Sequence, residues 1–95
     1  MVYLVSYDLN RPGQDYGGLY DAIKALGDWC HPLESTWLID TTLGASPIAE
    51  RLRANIDRND SLLVIGVTQD YAGWLPKEVW EWIRGRSAAL SGIGR

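Results

Sequence analysis

Apolar residues recur along the chain with two alternating periods, one near two residues and one near 3.6. Residues 2–7 are β-branched and aromatic, too few for a helix, and are closed by Asp8-Leu9-Asn10-Arg11-Pro12-Gly13, which predicts a strand followed by a loop. Tyr16, Leu19, Tyr20, Ile23 and Leu26 then fall at helical spacing, with Asp21 and Lys24 off that face. Asp15 is placed to cap this helix and Gly27 to end it. Residues 29–33 and 36–40 are short and strand-like on either side of Glu34-Ser35, a hairpin pattern in which Pro32 moves the first strand toward a sheet edge. Ser46 and Pro47 predict a helix start, a capping hydroxyl followed by a ring without an amide hydrogen. Ile48, Leu52 and Ile56 form the buried stripe of that helix, and Glu50, Arg51 and Arg53 point outward. Asn59-Asp60 turns the chain into the apolar run 61–67, a strand expected to be covered on both faces or by a helix and a partner.

The order strand, helix, strand, strand, helix, strand is that of the α+β ferredoxin-like βαββαβ unit. Both crossovers are right-handed there, so both helices cover one face of a four-stranded antiparallel sheet. The opposite face, with alternating Val, Leu, Trp and Tyr, is expected to be bare, and a bare apolar face predicts a homodimer through the sheet. Beyond the fourth strand, Pro76 stands at the first position of a Trp-rich helix whose stripe is Leu75, Val79, Trp82 and Ile83. Trp80 projects about 100° away from that stripe. Residues 1–84 form the expected domain, and residues 85–95, with Gly85, Gly92 and Gly94, the expected flexible tail.

Composition narrows the functional classes. Ninety-five residues make one domain at most, and 46% hydrophobic with 22% charged residues excludes a disordered chain. A net charge of −3 argues against a broad contact with duplex nucleic acid, whose affinity comes from Lys and Arg replacing counterions. Five Trp and five Tyr with no Phe give every benzenoid ring a polar handle, a composition suited to wet interfaces. No apolar run approaches the roughly 20 residues that span a bilayer, and the first residues lack a basic region and cleavage site. A cytoplasmic protein with no membrane partner and a reduced Cys30 is expected.

Most candidate motifs fail on chemistry. Gly13 to Gly18 has the gap of a phosphate loop, but Leu19-Tyr20 stands where Lys and Ser or Thr are needed. What remains is a connecting loop, or a helix start able to hold one anion beside Arg11. Cys30 and His31 are neighbours on a strand and so point to opposite faces, which prevents a shared metal or a thiolate–base pair, and Ser35 with His31 is no better. Trp74 and Trp80 are open to base stacking or to packing, whereas Trp82 lies on the apolar stripe. Arg51, Arg53 and Arg58 form a mild basic cluster that reads as a solvated helix face. Asp8 is the most informative residue. At the end of the first strand its carboxylate either accepts amide bonds from the following turn or projects toward a cleft. One carboxylate cannot make a magnesium site, but two brought together by a dimer axis can.

The pattern Val2-Tyr3-Leu4-Val5-Ser6-Tyr7-Asp8, the amphipathic helix before Gly27, Ser35-Thr36-Trp37-Leu38-Ile39 and the strand at 62–67 resemble the small CRISPR-associated adaptation protein, second in that numbered set. They also resemble the related virulence-associated toxin family. Tyr7-Asp8-Leu9-Asn10 and Trp74-Leu75-Pro76 are similar to small bacterial and phage proteins called SinR-like. The resemblance implies a ferredoxin-like homodimer in a phage-defence setting. It further implies that Asp8, as catalytic residue and metal ligand, meets its symmetry mate to hold magnesium for phosphodiester cleavage, as an endoribonuclease. Arg11 and Lys24 stand here among Asp15, Asp21 and Asp28, which argues against duplex DNA and leaves RNA. The alternative is a non-catalytic dimer that binds a protein, or a small nucleotide through Tyr7, Asn10, Arg11 and Trp80.

Overall fold

In a computed structural model, which describes residues 1–10, 15–86, 88 and 90, the elements follow the expected order. They are β1 (Val2–Asp8), α1 (Gly17–Lys24), β2 (Asp28–Leu33), β3 (Thr36–Asp40), α2 (Ala45–Arg53), β4 (Ser61–Gly66) and α3 (Lys77–Arg84). The four strands form one antiparallel sheet in the order β2-β3-β1-β4, compatible with a ferredoxin-like arrangement. Pro32 lies on edge strand β2 within the register shift between Cys30 and Leu33, a place where a residue without an amide hydrogen costs no central ladder bond.

Alternation along the strands creates two apolar faces. Tyr3, Val5 and Tyr7 of β1 join Trp37 and Ile39 of β3 on the inner face, and Leu19 and Ile23 of α1 with Ile48 and Leu52 of α2 close over them. These helices therefore share one side of the sheet. The other side is not bare as its sequence suggested. Val79 and Ile83 of α3, with Leu90, are buried there against Val2 and Leu38, and Leu4, Cys30, Val67, Leu75, Trp80 and Trp82 pack around them. Burying three aliphatic side chains contributes roughly 1.5–3 kcal/mol each, enough to hold a helix of eight residues that would be marginal alone. The result is three layers, with α3 on half of the outer face.

Several element ends depart from expectation for local reasons. Helix α1 begins after Tyr16, yet Asp15 still acts as a cap because its carboxylate accepts the Gly17 amide at 2.8 Å. Helix α2 begins two residues early, at Ala45, with Gly44 as its cap; Pro47 still lies in the first turn, where amide hydrogens have no helical partner. Pro76 precedes α3 rather than opening it. Gly27 does not end α1 in a left-handed conformation: the helix closes at Ala25, and a side chain at Gly27 would run into the carbonyl oxygen of Asp40. Glycine is needed there so that the helix exit can pass close to the end of β3. Beyond α3 the described residues still contact the sheet layer. Arg86 pairs with Asp28 at 3.2 Å and with Asp40 at 3.3 Å, and Leu90 is buried in the outer core. Gly92 and Gly94 lie outside the described residues. No helix among the described residues is long and apolar enough to cross a membrane.

Candidate functional site

The pairing register places Asp8, Ser6 and Leu4 of β1 on the outer face, beside Ser61, Leu63 and Ile65 of β4, and sets Ser6 against Thr36 of β3. Because α3 docks over Val2 and Leu38, the other half of this face stays open. Leu63 is 56% and Ile65 51% exposed, although both stand in the middle of a strand. The Ser6 and Thr36 hydroxyls bond to each other at 3.2 Å across the open half. Ser6, Asp8, Ser61 and Leu63 help to line a shallow hollow of about 270 Å³.

Asp8 is exposed at the strand end, and its carboxylate accepts no hydrogen bond from the described residues. The turn-capping work that Asp8 could have done belongs to Asp60. Its carboxylate accepts the Asn10 amide at 2.7 Å, the Tyr16 hydroxyl at 3.0 Å and the Asp57 amide at 2.8 Å. Asn10 is tied into the same turn through its side-chain amide, which donates to the Asn59 carbonyl. Asn10 thus braces the loop after β1. Sequence reasoning saw Asn59-Asp60 only as a turn; the signal for more was an Asp directly before a strand, where a short acceptor meets several free amides. Arg11 lies outside the described residues.

Tyr7 borders the shallow hollow as well, but most of it is buried in the inner core. It is 7% exposed, in the inner core, and its hydroxyl accepts from the Trp37 indole nitrogen at 3.0 Å and donates to the Glu34 carbonyl at 3.4 Å. These contacts give Tyr7 a structural role in the core. Burial pushes its phenol above the ordinary value of 10.0, against the opposing pull of the Trp37 hydrogen bond. The folded protein then holds this proton more tightly than the unfolded chain, so the stability it contributes is full below about pH 10 and falls as pH rises through the raised value. Tyr7→Phe leaves the buried Trp37 donor unpaired, with an expected loss of about 1–3 kcal/mol at neutral pH and a shallower loss above pH 10. Urea unfolding at both pH values measures this; equal curves for both proteins would contradict it.

Trp80 is half-buried over the outer core and stacks on Tyr71 with ring centres 5.9 Å apart and planes 16° from parallel. Its position off the stripe does not leave it free, because Tyr71 returns to cover it. Trp82 is half-buried, with the Arg86 guanidinium 4.1 Å above its ring. Trp74 alone among the five is 98% exposed. Cys30 and His31 do point to opposite faces: Cys30 packs in the outer core, where burial raises its thiol, while His31 stacks on Trp37 at 3.7 Å. Arg53 and Arg58 share a cleft with Glu50, Asp57 and Asp60, a mixed surface rather than a phosphate track. Among the described residues no group of three His, Cys, Asp or Glu side chains could hold a metal ion. Of the expected site residues that are described, Asp8 and Tyr7 border the same hollow, Asn10 lies in the adjoining turn and Trp80 stacks on Tyr71.

No family model matches the chain, and no curated protein matches it. Among solved structures it is similar to the crystal structure of a hypothetical protein from Thermus thermophilus, with a TM-score of 0.54 and 20% identity over 79% of this chain and 93% of that one. At this identity the likeness concerns the fold, a small α+β domain with a four-stranded antiparallel sheet and three helices.

Proposed function

We propose that the chain acts as a homodimer joined through the open half of its outer sheet face, cleaving single-stranded RNA with magnesium held between two Asp8 side chains. The observation that carries this reading is the place of Asp8: exposed, without an amide partner among the described residues, on the half of the sheet that α3 leaves open. A carboxylate used as a turn cap would have accepted those amides, and Asp60 accepts them instead. The resemblance to the CRISPR-associated adaptation protein and its SinR-like relatives supplies the chemistry, since there the aspartate ending the first strand meets its symmetry mate.

The residues present fit a hard cation only as a pair. One chain offers Asp8 with the hydroxyls of Ser6, Thr36 and Ser61 on the same face, all oxygen groups. Magnesium keeps several waters and needs only one or two carboxylates with a substrate phosphate. When bound, it would supply charge stabilisation at the phosphoryl oxygen and a more acidic water. The two carboxylates would position the cation and orient that water in line with the leaving oxygen, and Leu63 and Ile65 would exclude bulk solvent once the faces meet. Net charge of −3 and the mixed charge around Arg53 and Arg58 favour a short flexible strand over a duplex. The test is cleavage of single-stranded RNA by the purified protein as magnesium is titrated against a chelator. Activity that rises with magnesium and vanishes with chelator is expected. No cleavage across several metals and pH values would leave a non-catalytic dimeric binding module as the reading.

A further inference from the structure

We infer that Trp74 is the anchor by which two copies of the chain clasp each other, each ring seated on Leu63 and Ile65 of the other copy. This rests on the dimer reading above and names the residues that would hold it together. Trp74 is 98% exposed even though its neighbours are fixed: Leu75 packs into the outer core, Pro76 immediately precedes α3, and Tyr71 stacks on Trp80. The backbone at Trp74 is therefore held on the outer side of the sheet while its ring touches almost nothing. On that same side Leu63 and Ile65 are more than half exposed, and Tyr71 is 40% exposed.

Projection and floor thus belong to the same side of one chain, which is what a self-complementary two-fold interface requires. Trp74, Tyr71, Leu63 and Ile65 leave on the order of 500 Å² open per chain, since one fully exposed large aromatic alone presents roughly 150–250 Å². Covering this surface on both copies buries on the order of 1,000 Å² before any polar rim is added, close to the ~1,200 Å² at which specific interfaces begin. A nucleic-acid strand suits the ring less well. The chain carries −3, and Lys77, the next cation along from Trp74, is paired with Glu81 at 3.8 Å.

The experiment is sedimentation velocity of the full chain and of Trp74→Ala over a range of concentrations, with thermal melts of both at the lowest one. A central Trp in an interface is worth roughly 30-fold or more in affinity, and each dimer holds two, so Trp74→Ala is expected to weaken dimerisation on the order of 1,000-fold. Its melting as a monomer should be unchanged, because the ring is 98% exposed. Leu63→Glu, which alters the floor instead of the projection, should weaken the dimer as well. A wild-type dimer that Trp74→Ala leaves intact would overturn the anchor but spare the dimer. A wild-type monomer at every concentration would overturn both.

Discussion

Ile83→Asp is expected to lower stability by about 4 kcal/mol or more and to detach α3 from the sheet. Ile83 is buried between α3 and the outer face, where Val2 and Leu38 surround it. Substitution removes roughly 2–3 kcal/mol of aliphatic burial and leaves a carboxyl group without a designed partner, which costs a further few kcal/mol. Arg86, a partly buried cation just past α3, is already committed to Asp28 and Asp40. In a chain of this size each kcal/mol moves the melting temperature by about 4–8 °C, so a fall of 15 °C or more is expected. Arg84→Asp on the exposed side of the same helix is the control, with only the loss of a favourable charge at the helix end, about 1 kcal/mol or less. If the two variants melted within a few degrees of each other, α3 would not be a structural part of the sheet face.

The sheet and its two inner helices were legible because each short element has its own period and its own punctuation. The hairpin at Glu34-Ser35, the edge position of Pro32 and the opposed faces of Cys30 and His31 all follow from local rules. The docking of α3 was not legible in the same way. Its stripe of Val79 and Ile83 is local, but which surface receives it depends on the path of residues 67–76 over the outer face. The burial of Tyr7 was not legible because β1 is apolar on both sides, Val2 and Leu4 outward and Tyr3 and Val5 inward, so alternation gives no polarity. Gly27 looked like a helix terminator, whereas its reason is the passage of Asp40 close to its α-carbon. For the site, the position of Asp8 was visible as the last residue of a strand. Its freedom was not, since that depends on Asp60, which reaches the Asn10 amide across 50 positions of sequence.

Asp8→Asn is expected to abolish magnesium-dependent cleavage, about 100-fold or more, while leaving the fold intact. Because Asp8 is exposed and accepts no bond from the described residues, the substitution should change the stability of one chain by no more than about 0.5 kcal/mol. In the proposed dimer the wild-type carboxylates repel each other without metal, so removing their charge should keep or strengthen dimerisation under chelator. With magnesium the order reverses: the cation offsets the repulsion in the wild type and raises its melting temperature by binding the folded dimer, and Asn offers only a weak neutral oxygen. The loss of cleavage should be large, since even groups in the outer shell of a metal site are worth about 10–100-fold. Two readouts therefore move in opposite directions, dimer strength upward and cleavage downward, a combination that general misfolding does not produce. Equal cleavage by wild type and Asp8→Asn, prepared side by side, would remove Asp8 from the chemistry. A melting temperature insensitive to magnesium in both proteins would remove the shared cation.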